Sequence, residues 1–444
     1  MNRQQEEVLR EIADNRVRFV RLWFTDVVGQ LKAIAIDPGQ LEDAFTEGIG
    51  FDGSSIEGMT RVYESDMLLV PDASTFQILP WRRDEAPAAR LICSIYTPEG
   101  QPSRTDPRGV LQRVLDHAQE LGFTVMVHPE IEFYLLKPPA TADHVEPVDG
   151  ASYFDYIAWG ESNSFRRRII RSLEDVDVSV QFSHHEGGAG QNEIDLRAVD
   201  ALRAADNIVT TRSLIEEIAL RENMVATFMP KPFIDQPGSG MHLHMSLFEG
   251  DENAFYSPSG EYQLSSTARY FIGGLMVHAR ECAALTNQHV NSYKRLWAGG
   301  EAPAHVCWGH NNRSALLRVP LYKLGKRSSS RVEYRAPDPA MNPYLGLAVL
   351  IAAGLDGIEN RIDPGEETLD DAWSLSLQER RALGIQSLPA SLDEALREMH
   401  DSEFLAATLG EEVFDYVLRN GWKDWEDYNR QITPKEYDRF LMIR

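Results

Sequence analysis

Four stretches of the chain put carboxylates, imidazoles or guanidiniums where sheet interiors are otherwise apolar. In Phe123–Leu136, Glu130, Glu132 and Tyr134 alternate with Ile131, Phe133 and Leu135, so two carboxylates share one face of an expected strand. Glu186 and Glu193 flank a Gly-rich bend in Ser183–Arg197 that can bring both to one point. In Gly238–Leu247, His242, His244 and Ser246 alternate with Met241, Leu243, Met245 and Leu247. Arg331-Val-Glu-Tyr-Arg sets Arg331, Glu333 and Arg335 on a single face. Taken singly, each pattern is equally the solvated face of an antiparallel sheet or a satisfied core histidine. Repetition from strand to strand is what points to a site.

Glu130, Glu132, Glu186, Glu193 and Glu333 cannot share one sheet face unscreened, because each ionised neighbour raises the cost of ionising the next. Cations are therefore expected among them. Oxygen ligands with one imidazole, from His242, suit Mg²⁺ or Mn²⁺ rather than a thiolate-bound metal. Arg295, Arg313, Arg318, Arg331 and Arg335 come from nearby segments. A carboxylate cage for divalent ions, rimmed by arginines, is what phosphoryl transfer from a nucleotide requires. The chain contains no Gly-x-x-x-x-Gly-Lys-Ser/Thr or Gly-x-Gly-x-x-Gly loop that would indicate a different nucleotide fold.

The elements that must position these groups follow in order. Met1–Asn15 reads as a short charged helix with no apolar core, unlike a secretion signal. A hairpin over Val17–Ile36, a Gly-rich loop at Ile49–Met59, and strands at Met67–Val70, Phe76–Leu79 and Arg90–Tyr96 form a small mixed domain. The connector Thr97–Thr105 ends it, which places domains at residues 1–103 and 104–444. Asp106-Pro107 caps a helix whose buried stripe runs from Val110 to Leu121. Helices are expected over Ser164–Asp175, Ala201–Arg221 and Ser265–Leu285, and through most of the region after Pro343. Arg166, Arg167, Arg168 and Arg171 read as a solvated or subunit-contacting side, and Asn291–Pro303 as a polar, Gly-broken flap.

At 444 residues with 43% apolar content, the chain can bury a large core. Its net charge of −24 argues against a nucleic-acid or anionic-membrane surface. Cys93, Cys282 and Cys307 are widely spaced, as expected of reduced thiols in a cytoplasmic protein. The longest apolar run, Tyr344–Leu355, falls short of the ~20 residues a membrane helix needs.

The motifs Phe51-Asp-Gly-Ser-Ser-Ile, Pro129-Glu-Ile-Glu-Phe, His184-His-Glu, Gly190-Gln-Asn-Glu-Ile, Gly240-Met-His-Leu-His-Met-Ser, Asn291-Ser-Tyr-Lys-Arg-Leu, Asn312-Arg-Ser-Ala and Arg331-Val-Glu-Tyr-Arg together resemble those of class I bacterial glutamine synthetases, in the same order over nearly the whole chain. The resemblance implies an α+β protein. A small N-terminal β-grasp domain would precede a larger catalytic domain built on a curved antiparallel sheet with helices. It implies a dodecamer of two hexameric rings with active sites between subunits. ATP would phosphorylate the γ-carboxylate of L-glutamate, and ammonium or an organic amine would then attack the acyl phosphate.

By motif, Glu132, Glu186 and Glu193 would hold the cation near glutamate, and Glu130, His242 and Glu333 the one on the nucleotide phosphates. Arg295, Arg335 and Gly238 would hold glutamate, and Arg313 and Arg318 would contact phosphates. His244, Ser246 and Arg331 would line the nucleotide. Asp52 and Ser55, from a neighbouring subunit, with Tyr153 would form the ammonium pocket, Asp52 taking a proton from the amine; Glu301 would lie on a covering flap.

Two departures bear on the acceptor. Pro237-Gly238 stands where the family usually has Asn-Gly, and Gln181 where many members have glutamate. Glutamine synthesis from ammonium is the expected activity, a γ-glutamyl-polyamine or other γ-glutamyl-amine ligase the alternative, and a non-catalytic relative a remote one. Trp373 occupies the place of a tyrosine that relatives adenylylate, and Arg61 matches an arginine serving glutamine feedback.

Overall fold

The computed structural model describes residues 1–57, 66–80, 86–141, 144–156, 160–297, 302–320 and 327–442. Helix α1 (Arg3–Asp14) opens with a capping box between Asn2 and Gln5. The first sheet contains β1 (Phe19–Thr25), β2 (Leu31–Ile36), β3 (Ile49–Asp52), β4 (Asp66–Pro71), β5 (Gln77–Ile78) and β6 (Ala88–Tyr96), with α2 (Leu41–Glu47) between β2 and β3. Its order is β2-β1-β6-β4-β3, and β5 also pairs with β6. β1 and β6 run parallel, the others antiparallel. Leu22, Leu41, Leu69 and Leu91 centre a core separate from that of the rest of the chain.

The second sheet is built from β7 (Thr124–Leu136), β8 (Val180–His185), β9 (Gln191–Leu196), β10 (Val199–Asp200), β11 (Val225–Thr227), β12 (Met241–Glu249) and β13 (Glu252–Asn253). β14 (His305–Val306) pairs apart from it with the late strand β18 (Gln386–Ser387), while β15 (Trp308–His310), β16 (Leu317–Val319) and β17 (Val332–Tyr334) complete the large sheet. Its path is β15-β16-β17-β12-β7-β9-β8. One pair departs from the antiparallel expectation. The connection through Asn311 (φ 60°) folds back so that Leu317 starts beside Trp308, which makes β15 and β16 parallel.

The helices of this part include α3 (Pro107–Glu120), α4 (Glu161–Glu174), α5 (Ala201–Arg221), α6 (Ser266–Thr286), α7 (Val290–Trp297) and α8 (Pro343–Glu359). β7 turns Ile131, Phe133 and Leu135 into the core against α3 and α5, all three fully buried. Each contributes roughly 1.5–3 kcal/mol by burial. That fixes the register that sends Glu130 and Glu132 to the opposite face.

Two buried polar ties join the domains. Arg108 on α3 spans Asp206 of α5 (3.1 and 3.0 Å) and Asp72 of the first domain (2.9 Å). Asn342 caps α8 by accepting from the Tyr344 N–H, and its Nδ2 donates to the carbonyls of Asp26 and Val27, both at 3.2 Å. The hairpin can approach because residue 29 is glycine. Its φ is +88°, and a Cβ there would sit 2.9 Å from the Asn342 Cα.

Two local expectations are corrected. Arg166 is not on a solvated face; it is buried and donates to the Asn192 side chain, while Arg167, Arg168 and Arg171 are exposed. The stretch after Asn291 is not an irregular flap over its first half: α7 buries Ser292, Tyr293, Arg295 and Leu296 on one side. The polar residues hid an amphipathic period.

Candidate active site

The carboxylates meet because β7 lies between β12 and β9. In register, Glu130 faces His242 on one side and Asp195 on the other, and Glu132 faces Glu193. His184 of β8 is opposite Glu193, and Glu333 of β17 is opposite His244 on one flank and Arg318 on the other. This row of cross-strand neighbours floors a cavity of about 780 Å³. Its walls include Glu130, Glu132, Tyr153, Glu186, Glu193, Gly238, His242, Arg295, Arg313, Arg318, Glu333 and Arg335. His244, Ser246, Arg331 and Gln181 line an adjoining pocket of about 170 Å³.

At one end, the His184 Nε2 lies 3.1 Å from Glu193 and its Nδ1 3.8 Å from Glu186. Glu132 accepts from the Gly240 N–H at 2.9 Å and from Gln191 Nε2 at 3.2 Å. Burial, with Glu186 beside it, pushes the Glu132 carboxyl up to about 8. Burial and Glu132 raise Glu193 far above the carboxylate range, and burial and Glu193 push Asp195 up to about 9. Glu132 and Asp195 hold protons at neutral pH unless a cation replaces them.

The other end is compensated. Glu333, fully buried, receives Arg335 Nη1 at 2.6 Å and Arg318 Nη1 at 2.7 Å. Glu130 contacts His244 Nε2 at 2.6 Å and His242 Nδ1 at 3.1 Å, and His242 lies 3.7 Å from Glu333. Burial works against ionisation at both carboxylates. His244 and Arg335 nevertheless bring Glu333 down to about 2, and His244 and His242 hold Glu130 well below its usual value.

Arg295 runs along the cavity wall, donating to the carbonyls of Ala336 (2.6 Å), Pro337 (3.1 Å) and Arg335 (3.2 Å). It passes because residues 238 and 240 are glycines; a Cβ on Gly240 would meet its Nη2 at 2.5 Å. The Pro237 carbonyl accepts from the Tyr134 hydroxyl at 2.7 Å, which fixes the loop ahead of Gly238. Arg331 Nε donates to His244 Nδ1 at 3.2 Å. Tyr153 packs edge-on to His184, ring centroids 5.5 Å apart. Asp52 stands at the end of β3, outside the lining of its own chain's cavity, and Ser55 follows in the turn Gly53–Glu57. Glu301, Arg61 and the Ser55 side chain lie outside the described residues.

Two groups of ligand atoms that lie within 4.8 Å of one another fit divalent cations, His184 with Glu186 and Glu193, and Glu130 with His244 and Glu333. A third, His128 with Glu130 and Asp195, shares a carboxylate with the second. Hard oxygen donors with one imidazole each are a Mg²⁺ or Mn²⁺ set, and the crowding of buried carboxyls at the first end, where burial and Glu186 raise Glu132 and burial and Glu132 raise Glu193, is what a cation would relieve. Motif reading passed over His184, Asp195, Gln191 and Lys231, which also line the cavity. The period of two through Gln191, Glu193 and Asp195 carried the signal for two of them. Lys231, on an irregular loop, had none.

Comparison with known proteins gives a consistent family. A model described as "Glutamine synthetase, catalytic domain" matches residues 104–440, and "Glutamine synthetase, beta-Grasp domain" matches residues 16–98. Proteins named glutamine synthetase from Mycolicibacterium smegmatis and Mycobacterium tuberculosis H37Rv are each 55% identical over 446 residues, covering all of both chains. One from Thermotoga maritima is 44% identical over 99% of each. Two solved structures, titled "Apo GmaS without ligand" and "GmaS/ADP complex-Conformation 1", align with TM-scores of 0.88 and 0.87 at 31% and 30% identity, over 98% of this chain and 99% of theirs.

Proposed function

The chain belongs to the glutamine synthetase family, and from that premise we propose that it joins ammonium to the γ-carboxylate of L-glutamate at the expense of ATP, through γ-glutamyl phosphate. The observation that carries the reading is a single cavity holding two oppositely balanced carboxylate clusters under an arginine rim. The residues that would hold the two cations are Glu132, Glu186 and Glu193, with His184 beside them, and Glu130, Glu333 and His242, with His244 beside it. When bound, Mg²⁺ or Mn²⁺ would supply the positive charge that phosphoryl transfer to a carboxylate needs.

The chain's own groups do the rest. Arg295 and Arg335 orient the α-carboxylate and γ-carboxylate of glutamate, and Gly238 lets the substrate backbone lie close to the wall. Arg313 and Arg318 neutralise charge developing on the transferred phosphoryl group, an electrostatic role with no covalent step. His244, Ser246 and Arg331, which line the adjoining pocket, take the nucleotide. Tyr153, with Asp52 and Ser55 of a neighbouring copy, would hold the incoming ammonium, and Asp52 would accept its proton. Glu301 would shield the acyl phosphate from water.

That division of labour needs an assembly of rings, which we take to be a dodecamer, in the cytoplasm. The domain division lies at 103/104. The full-length relatives named glutamine synthetase do not favour the γ-glutamyl-amine alternative. The test is kcat/KM for ammonium against putrescine, spermidine, spermine and ethanolamine at fixed glutamate, ATP and Mg²⁺. Ammonium is expected to lead. Background turnover with ammonium beside efficient use of one organic amine would overturn the assignment.

A further inference from the structure

The segment Gly365–Ala372 runs alongside β15 and the turn that follows it, tied at six points. Trp308 Nε1 donates to the Gly365 carbonyl (3.2 Å), the His310 N–H to Glu367 (2.8 Å), and the Thr368 N–H to the Trp308 carbonyl (2.8 Å). Asn312 Nδ2 donates to the carbonyls of Thr368 (2.7 Å) and Asp370 (3.0 Å), and the Ala372 N–H to Ser314 Oγ (2.8 Å). Ala372 is fully buried against Cys307 and Ala315. Asn312 and Ser314 are the two neighbours of Arg313, whose exposed side chain lines the cavity. The segment thus sets where the Arg313 backbone sits.

The next residue reaches a second residue of the cavity lining. Trp373, held by a turn in which its N–H donates to Asp371 at 3.0 Å, donates its indole N–H to the carbonyl of Ala302 at 3.1 Å. Ala302 also lines the cavity. One segment, tied by these hydrogen bonds, therefore links the turn that presents Arg313 to Ala302.

We propose that Trp373 is a positioning residue: its indole N–H ties Ala302 to the segment that places Arg313, and so fixes where these two cavity-lining residues sit relative to each other. The proposal rests on the phosphoryl-transfer reading above for its kinetic consequence, but not for its structural one. Trp373 is not among the residues that line the cavity. A shift between the two misplaces Arg313 where charge develops, which lowers kcat more than it weakens ground-state binding.

The experiment uses the full-length protein carrying Trp373→Phe, which keeps an aromatic ring and removes only the donor, Ser314→Ala, and both together. Trp373→Phe is expected to lower kcat for glutamate-dependent ADP release about tenfold, with KM for ATP and glutamate within about twofold. Ser314→Ala weakens the other end of the same brace, so the double variant is expected to be about as slow as the slower single one. Amide hydrogen exchange without substrates is expected to speed up in Trp373→Phe in peptides covering 302–308 and 368–374. Kinetics within twofold of wild type, losses that multiply in the double variant, or unchanged exchange would each overturn the brace. Wild-type protein without glutamate-dependent ATP turnover would overturn the functional reading instead, leaving hydrogen exchange to decide the brace.

Discussion

Glu132 and Glu333 are both buried carboxylates on the floor of one cavity, and their surroundings are opposite. Glu333 is met by two guanidiniums, and His244 and Arg335 bring it down to about 2, so it is ionised before anything binds. Glu132 has a backbone N–H, an amide and two more glutamates around it, and is pushed up to about 8. At one end arginines and histidines already offset much of the carboxylate charge; at the other the carboxyls crowd one another, and a cation there would relieve a larger imbalance. A buried pair already satisfied resists change, whereas a cluster of like charges is a binding site because it is unstable alone.

The sharpest break comes from removing a ligand at the crowded end. Glu193→Ala is expected to lower glutamate-dependent ATP turnover by at least about 10³-fold at saturating Mg²⁺. Retention of most turnover in a coupled ADP assay would show that this end does not hold the cation. Next, Glu333→Gln strands Arg318 and Arg335 and is expected to cost about 3–5 kcal/mol in denaturant unfolding with EDTA. Glu132→Gln under the same conditions at pH 7 is expected to cost little, because its carboxyl is already protonated there. Equal losses in the two variants would erase the distinction.

The pH dependence has a definite sign. The folded chain keeps the Glu132 proton that the unfolded chain releases near 4.5, so raising pH favours unfolding up to about 8. Metal-free wild type is expected to lose stability over that window. Glu132→Gln should flatten the slope, and Mn²⁺ at a hundred times its Kd should add about 2.7 kcal/mol, an increment absent in Glu193→Ala. A thermal-shift series across pH measures all three.

The smallest effect lies outside the cavity. His278 sits between Glu281 and Asp356 (2.9 Å), and although burial opposes it, those partners raise its pKa. Its contribution is full below about 6.5 and is lost as pH rises through the raised value. His278→Asn is expected to cost about 1 kcal/mol at pH 6 and much less at pH 9. A pH-independent loss would mean packing on Phe404, not charge, is what His278 supplies.

Strand periodicity made the floor of the site legible, because a period of two fixes a face whatever the neighbouring strands do. Glu130, Glu132, Glu193, His242 and Glu333 lie where their spacing put them. Pairing was not legible: nothing in His184 says that it stands opposite Glu193, since register depends on contacts far apart in the chain. Arg166 was misread because a buried guanidinium and a solvated one look alike in a run of arginines. Helix α7 was missed because its buried face contains Ser292 and Arg295, polar residues satisfied only in the folded site.

Asn342 also sets a timetable for the chain's birth. The carbonyls it holds belong to Asp26 and Val27, 316 and 315 residues earlier. At about 5–20 residues per second of synthesis, the first sheet emerges, and can close its own core, tens of seconds before that partner exists. During that interval the Gly29 turn is bare, so the N-terminal sheet must be self-sufficient while nascent. A destabilising change in its core would then reduce yield during translation before it touched the finished enzyme.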